Sequence, residues 1–332
     1  MAKNPEIENT FLELTDKYKA GSPMNEDTVW IDMPLVKITN ELSETIGINC
    51  SNYLCKQLLE KNKFGRRKMT KAITLKNDKD RNEQFITIFK YIEQYKISNN
   101  PIISIDTKKK ELIGNFYRNG RCYCNTALKV YDHDFNTFSS GTIVPHGIYD
   151  LKNNIGYMTL SESKDTSEFS SDCIKNWWIN YGKELYPNAD CILILCDGGG
   201  SNSSRGFLFK EDIQKLSNEI GIEIRIAHYP PYTSKHNPIE HKLFPHVTRS
   251  LNGVLIDSIE TMASKIKNTT TSKGLKVVVN ISRKIYEIGR KATENFCNNC
   301  TIIYDKILGK WNYKAISREY RKSCVMVFPS KK

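Results

Sequence analysis

The stretch Cys191-Ile-Leu-Ile-Leu-Cys-Asp-Gly-Gly-Gly-Ser-Asn202 decides the fold. Its first six residues are all apolar and end on an aspartate and a glycine run, too short for a buried helix and too apolar for a strand with one wet face. They read as a strand covered on both sides, which belongs in a sheet layered between helices. On its C-terminal side, Phe207 to Ile220 has helical spacing and Ile222 to His228 is a further strand. On its N-terminal side, Ser170 to Tyr181 reads as a helix carrying Trp177 and Trp178. Strands precede it at Ile102 to Asp106, Glu111 to Tyr117, Gly147 to Leu151 and Gly156 to Ser161. Asn237 to Leu251 closes the set as a helix, with Pro238 in its first turn and Pro245 expected to bend it. This alternation predicts an α/β fold, a mixed sheet flanked by helices.

Ahead of the sheet the periodicity is helical. Ile7, Phe11, Leu14 and Tyr18 form one stripe before the Gly21-Ser22-Pro23 break; Leu35, Ile38, Leu42 and Ile46 form a second, interrupted at Gly47. Tyr53, Leu54, Leu58 and Leu59 form a third, which runs into Arg66-Arg67-Lys68. The layout suits a small helix-turn-helix-like domain, and equally an ordinary helical hairpin that touches no DNA. The expected organisation is a helical, DNA-binding region over 1–75, a connecting helix within 76–100, a mixed-sheet domain over 101–268, and a C-terminal extension over 269–332 packing on it.

Across 332 residues, 49 Lys and Arg oppose 37 Asp and Glu, a formal charge of +12. That excess fits a polyanionic partner, although basic chains are common among proteins that bind none. No run approaches the length of a membrane span and Met1 to Glu13 lacks the apolar core of a signal peptide, so the expectation is a cytoplasmic protein. Ten cysteines, some inside apolar runs, read as reduced thiols. Cys297-Asn-Asn-Cys300 is the one C-x-x-C, and Cys122-Tyr-Cys124 is too distant in sequence to make it a clear zinc site.

Three acids stand out by position. Asp106 ends Ile-Ile-Ser-Ile-Asp and Asp197 ends Ile-Leu-Ile-Leu-Cys-Asp, so both emerge where strands finish, the edge at which open parallel sheets bind ligands. Glu240 precedes Leu243, Phe244, Val247 and Leu251, the buried stripe of its helix, which turns it toward the sheet. Taken singly, each is an ordinary solvated carboxylate. Together, three like charges in one pocket need neutralising, and a pair of divalent cations does that while clamping the oxygens of an in-line phosphoryl displacement. Magnesium, or manganese in its place, suits hard oxygen ligands.

The surroundings add weaker signals. The glycine run after Asp197 lets backbone amides approach a phosphate, though it is no P-loop and serves equally as a turn. Lys108, Lys109, Lys110, Asn202, Arg205, Lys210, Lys235, Lys242 and Arg249 lie near the acids in sequence and are candidate DNA contacts, with a solvated basic face as the dull alternative. Of His228, His236, His241 and His246, only His241 reads as an active-site neighbour, since the spacing is not that of a zinc protease. Tyr229-Pro-Pro-Tyr-Thr-Ser234 is a rigid aromatic loop, suited to stacking on bases or to a plain turn.

Five segments in order carry a resemblance: Ile105-Asp-Thr-Lys-Lys-Lys-Glu-Leu-Ile-Gly-Asn-Phe116, His146-Gly-Ile-Tyr-Asp-Leu151, Cys196-Asp-Gly-Gly-Gly-Ser-Asn202, Tyr229-Pro-Pro-Tyr-Thr-Ser-Lys235 and Asn237-Pro-Ile-Glu-His-Lys-Leu-Phe244. With Trp311-Asn-Tyr-Lys314, these resemble the Rhodopirellula-type DDE transposases of bacterial insertion sequences, over roughly residues 20 to 316. The resemblance implies a ribonuclease-H-like catalytic domain and a metal-binding triad of Asp106, Asp197 and Glu240, separated by 91 and 43 residues. It further implies two Mg2+ ions, DNA cleavage and strand transfer at transposon ends, and action as a homo-oligomer on DNA in the bacterial nucleoid. A structure-specific nuclease of the same fold, and a co-opted DNA-binding protein that has lost transposition, are the rival readings.

Overall fold

The computed structural model describes residues 5–22, 25–67, 79–204 and 206–318. Two compact units divide the chain, Met1–Ile73 and Thr74–Lys332.

In the first unit, helix α1 (Pro5–Lys17) is followed by an antiparallel hairpin, β1 (Lys19–Ser22) and β2 (Asn25–Ile31), where the sequence suggested only a break. Helices α2 (Leu35–Ile46) and α3 (Asn52–Lys61) come next. Ser51 caps α3 by accepting from the Leu54 amide, satisfying one of the donors a helix start leaves open. Phe11, Leu14, Ile38, Leu42, Cys55 and Leu58 fill the core between the three helices. Tyr53, Lys56, Arg66 and Arg67 are exposed, and Lys68 lies outside the described residues.

The second unit begins with α4 (Arg81–Lys96) and is built on one large sheet. Its strands are β3 (Ile102–Thr107), β4 (Glu111–Ile113), β5 (Gly141–Asp150), β6 (Ile155–Ser161), β7 (Cys191–Cys196), β8 (Glu223–His228), β9 (Lys276–Ser282), β10 (Ile303–Tyr304) and β11 (Asn312–Ala315). Across the sheet the order is β10-β11-β8-β7-β3-β5-β6-β9, with β4 paired to β5. The middle five run β6-β5-β3-β7-β8; β3, β7 and β8 are parallel and β5 is antiparallel to both neighbours. This is the mixed-sheet order of a ribonuclease-H-like domain. The sheet does not stop at residue 268: β9 joins one edge parallel to β6 and β11 joins the other antiparallel to β8, so the C-terminal segment is part of the sheet and not a layer upon it.

Helices cover both faces. One face holds α5 (Ser167–Trp177), continued through a π-turn at Trp178–Gly182 into α6 (Lys183–Leu185), together with α7 (Phe207–Ile220). Ile103, Ile105, Ile192, Ile194 and Ile224 pack there against Phe169, Trp177 and Phe209. The other face holds α4, α8 (Pro238–Lys242), α9 (Phe244–Ser250) and α10 (Ile259–Lys267). Where one bent helix was expected over Asn237 to Leu251, there are two, broken at Leu243 (φ −121°, ψ −58°). Pro245 thereby falls in the first turn of α9, where its missing N–H costs nothing. The expected strand Glu111 to Tyr117 stops at Ile113, because Gly114 leaves β5 to bridge with Ile256. A short helix, α11 (Glu294–Asn298), precedes the last two strands. No helix among the described residues is long and apolar enough to cross a membrane, and the described cysteines are free thiols.

Candidate active site

Alternation along β3 sorts its side chains. Ile103 and Ile105 enter the α5–α7 core, so Ser104 and Asp106 face the side on which α8 lies. Asp106 stands opposite Gly147 of β5, and β7 runs parallel on the other flank of β3. Asp197 directly follows β7, so both aspartates leave adjacent parallel strands at the same edge.

Glu240 reaches that edge because α8 is fastened to β3. Buried Ser104 donates to Asn237 Oδ1 at 2.5 Å and accepts from the Ile239 amide at 3.0 Å, while Asn237 Nδ2 donates to the Ile105 carbonyl at 3.1 Å. A strand interior and a helix start are thus joined through one buried amide, two residues before Asp106 and three before Glu240. Gly147 permits the close approach: a Cβ there would sit 2.6 Å from Phe244 and 2.8 Å from Ile239. Replacing Asn237 by Ala removes the acceptor of the Ser104 hydroxyl and a donor to the Ile105 carbonyl; a loss of about 2 kcal/mol in urea denaturation is expected, and an unchanged midpoint would show that α8 is held by its other contacts alone.

The carboxylates feel one another. Asp106 is pushed up to about 7, first by burial and then by Asp197; the Thr107 amide, 2.8 Å from its Oδ1, opposes this, and Glu240 and Asp165 add to the rise. Asp197 is raised by burial, relieved by the Gly199 amide and raised further by Asp165. Burial also raises Glu240; His241 pulls it back, Asp197 pushes it up and Lys108 lowers it. The three predicted acids are therefore brought within mutual electrostatic reach, and none of them forms an ion pair among the described residues.

Asp165 is the fourth acid of the group. It lies between β6 and α5, and Thr107 Oγ1 donates to its Oδ1 at 3.1 Å. Nothing local in the sequence marks it, since Glu-Ser-Lys-Asp reads as a polar turn. His146, paired with Thr107 across β3 and β5, is fully buried and pushed down to about 4 by that burial. Ser170 Oγ donates to buried Asn202 Oδ1, so His146 Nε2, 3.0 Å away, donates to Ser170, leaving Nδ1 without a partner.

Several expected DNA contacts turn out to be structural. Lys108 is buried and bound to Glu111 at 2.9 Å. Asn202 is buried and held by Ser170, and Lys210 is buried among aromatic rings. Lys109, Lys110, Lys235, His241, Lys242 and Arg249 are exposed; Arg205 lies outside the described residues. In the aromatic loop Tyr229 is core, whereas Tyr232 is exposed with a positive φ of 62°. His228 is buried and pushed down to about 4 by that burial, and His236 packs edge-on to Phe85.

As they stand, no three His, Cys, Asp or Glu side chains among the described residues are arranged to hold a metal ion. The donor set nonetheless suits a hard divalent cation: clustered carboxylates, partly buried, mutually repelling and without a protein cation to pair them.

Among solved structures, the chain is similar to "Mos1 transposase paired-end complex with left transposon end" (14% identity, 80% of this chain and 71% of that one, TM-score 0.44). It is also similar to "Crystal structure of a pre-cleavage Mos1 transpososome" (14% identity, 80% and 71%, TM-score 0.45). No curated protein sequence matches it. The sequence profile described as the Rhodopirellula transposase DDE domain matches residues 10–317, nearly the whole chain. By that match the chain belongs to the Rhodopirellula-type DDE transposases.

Proposed function

We propose that this transposase cuts DNA at the ends of an insertion sequence and joins the freed 3′ ends to target DNA, with Asp106, Asp197 and Glu240 as the ligands of two divalent cations, Mg2+ or Mn2+. The observation that carries this reading is that all three carboxylates are raised at one sheet edge, Asp106 by both of the others, and that none of them forms an ion pair among the described residues. Held by Asp106, Asp197 and Glu240, such ions would supply Lewis-acid activation of the attacking oxygen and stabilisation of the leaving oxygen. The reading is supported by the parallel pairing of β3 with β7, at whose ends the two aspartates stand, and by the Ser104–Asn237 link that fastens the helix carrying Glu240 to β3.

Exposed Lys109, Lys110, Lys235, His241, Lys242 and Arg249 are suited to DNA phosphates beside this edge. In the first unit, exposed Tyr53, Lys56, Arg66 and Arg67 on and after α3 fit a duplex end read by a helix-turn-helix. Family membership supports a homo-oligomer working on paired ends, and a DNA substrate supports a nucleoid-associated, cytoplasmic enzyme.

The test uses supercoiled plasmid carrying the element's terminal repeats. Wild-type protein with Mg2+ is expected to nick at the repeat and, given pre-cut ends, to transfer strands. Asp197→Ala is expected to bind the same DNA and cut none. Cleavage retained by that variant overturns the assignment, and nicking without strand transfer by the wild type favours a nuclease.

A further inference from the structure

The segment that carries Asp197 has no stiffness of its own. Gly198, Gly199 and Gly200 follow it in a row, Gly200 with φ +57°, and its internal hydrogen bonds are few: the Gly199 amide to Asp197 Oδ1 at 3.3 Å, the Asn202 amide to the Gly199 carbonyl at 3.1 Å and the Ser204 amide to the Gly198 carbonyl at 3.4 Å. A glycine-rich turn of this kind samples many conformations unless something outside it selects one.

Besides the Ser170 hydroxyl, which donates to Asn202 within it, two buried side chains grip the segment at its ends. At the start, His228 Nδ1 lies 2.9 Å from the Asp197 carbonyl oxygen. That oxygen can only accept, so Nδ1 carries the ring proton and Nε2 is left to accept from the Tyr313 hydroxyl at 3.0 Å. At the far end, Lys210 Nζ donates to the Ser204 carbonyl at 2.8 Å. This ammonium is buried without a carboxylate partner among the described residues, 5.4 Å from the centre of the Tyr313 ring, with the rings of Tyr304 and Phe207 at 5.5 and 5.6 Å. Buried lysines are ordinarily paired, and rings stacked about one compensate part of its lost hydration. One residue, fully buried Tyr313 of β11, therefore supports both grips, its hydroxyl through His228 and its ring face through Lys210.

We propose that Tyr313 is a positioning residue: acting through His228 and Lys210, it holds the glycine-rich segment in the single conformation in which Asp197 takes up a divalent cation. The inference rests on the reading of Asp197 as a metal ligand. It assigns to the C-terminal strand a share in building the metal site, exerted through His228 and Lys210. Partners one shell away from metal ligands set affinity by fixing orientation, commonly tenfold or more.

Manganese is the probe. Free Mn2+ at equilibrium with the full chain, without DNA, is measured by electron paramagnetic resonance, alongside thermal unfolding in chelator. Tyr313→Phe keeps the ring over Lys210 and removes the hydroxyl alone. It is expected to weaken Mn2+ binding about tenfold while lowering the metal-free melting temperature by only a few degrees, the effect of one lost buried hydrogen bond. Lys210→Met keeps an apolar stem among the rings, removes the other grip, and is expected to act in the same direction. Asp197→Asn serves as the reference and is expected to lose the same Mn2+ site. If Asp197→Asn loses the ion but both other variants bind it as wild type does, or merely melt earlier with affinity unchanged, the positioning role is wrong and the metal site stands. If Asp197→Asn binds as wild type, the site reading fails and this inference falls with it.

Discussion

Asp106→Asn is expected to abolish Mg2+-dependent cleavage and, in the same molecule, to make the metal-free protein more stable at pH 8. Loss of activity follows from removing a carboxylate that faces Asp197 and Glu240, and at least about a 10³-fold drop is expected, several kcal/mol of transition-state stabilisation. The gain in stability follows from the raised pKa of Asp106. In the folded chain Asp106 gives up its proton near pH 7, whereas an unfolded aspartate does so near 3.8. Between those values the folded state binds more protons than the unfolded one. Stability is thus lost as pH climbs from about 4 to 7 and the deficit is constant above. At about 1.4 kcal/mol per unit, the neutral amide recovers on the order of a few kcal/mol at pH 8, less at pH 5 and nothing below pH 3. Thermal unfolding in chelator at these three pH values checks the trend. Equal melting temperatures for wild type and variant at pH 8 would mean that Asp106 is not under the strain described.

Gly147→Val is expected to have the next largest effect. Even the first carbon of the new side chain would overlap Phe244 and Ile239, whose side chains anchor α8 and α9 to β5. Forced overpacking of this kind costs about 3 kcal/mol, and it is relieved by lifting the helices from the sheet. Glu240 moves with them, while both aspartates stay on their strands. A displacement near 1 Å is enough to cost about 10²-fold in rate. The combination of lowered urea midpoint and lowered cleavage, with DNA affinity intact, distinguishes this from damage elsewhere. A variant with wild-type stability would show that α8 does not rest on β5 at that point.

The parts of this architecture that the sequence disclosed are those with strong local signatures. Strand Cys191–Cys196 and helix Phe207–Ile220 fall within the bounds read from their patterns, the first an uninterrupted apolar run and the second ended by Gly221 in a left-handed turn. Asp106 and Asp197 were visible because each closes such a run. Hidden were features that depend on tertiary pairing. Strand β11 has a four-residue pattern of no distinction until β8 is placed beside it. Strand β9 is half-covered along an edge and reads no better as strand than as loop. Lys108 and Lys210 looked like surface cations because residue type predicts exposure, yet Glu111 and a set of rings bury them. Asp165 and Ser104 carry no motif of their own, and Asn237, although it opens the segment that bears Glu240, shows its fastening role only when β3 and α8 meet.

The order of strands in the sheet bears on how the acidic edge comes into being. Parallel neighbours β3 and β7 are separated by some eighty residues of chain, and β6 and β9 by more than a hundred. Contacts between such remote segments form only after costly loop closure, so assembly is slow and late. The acidic edge, which needs β3 and β7 side by side, therefore depends on one of the pairings whose closure costs the chain most entropy.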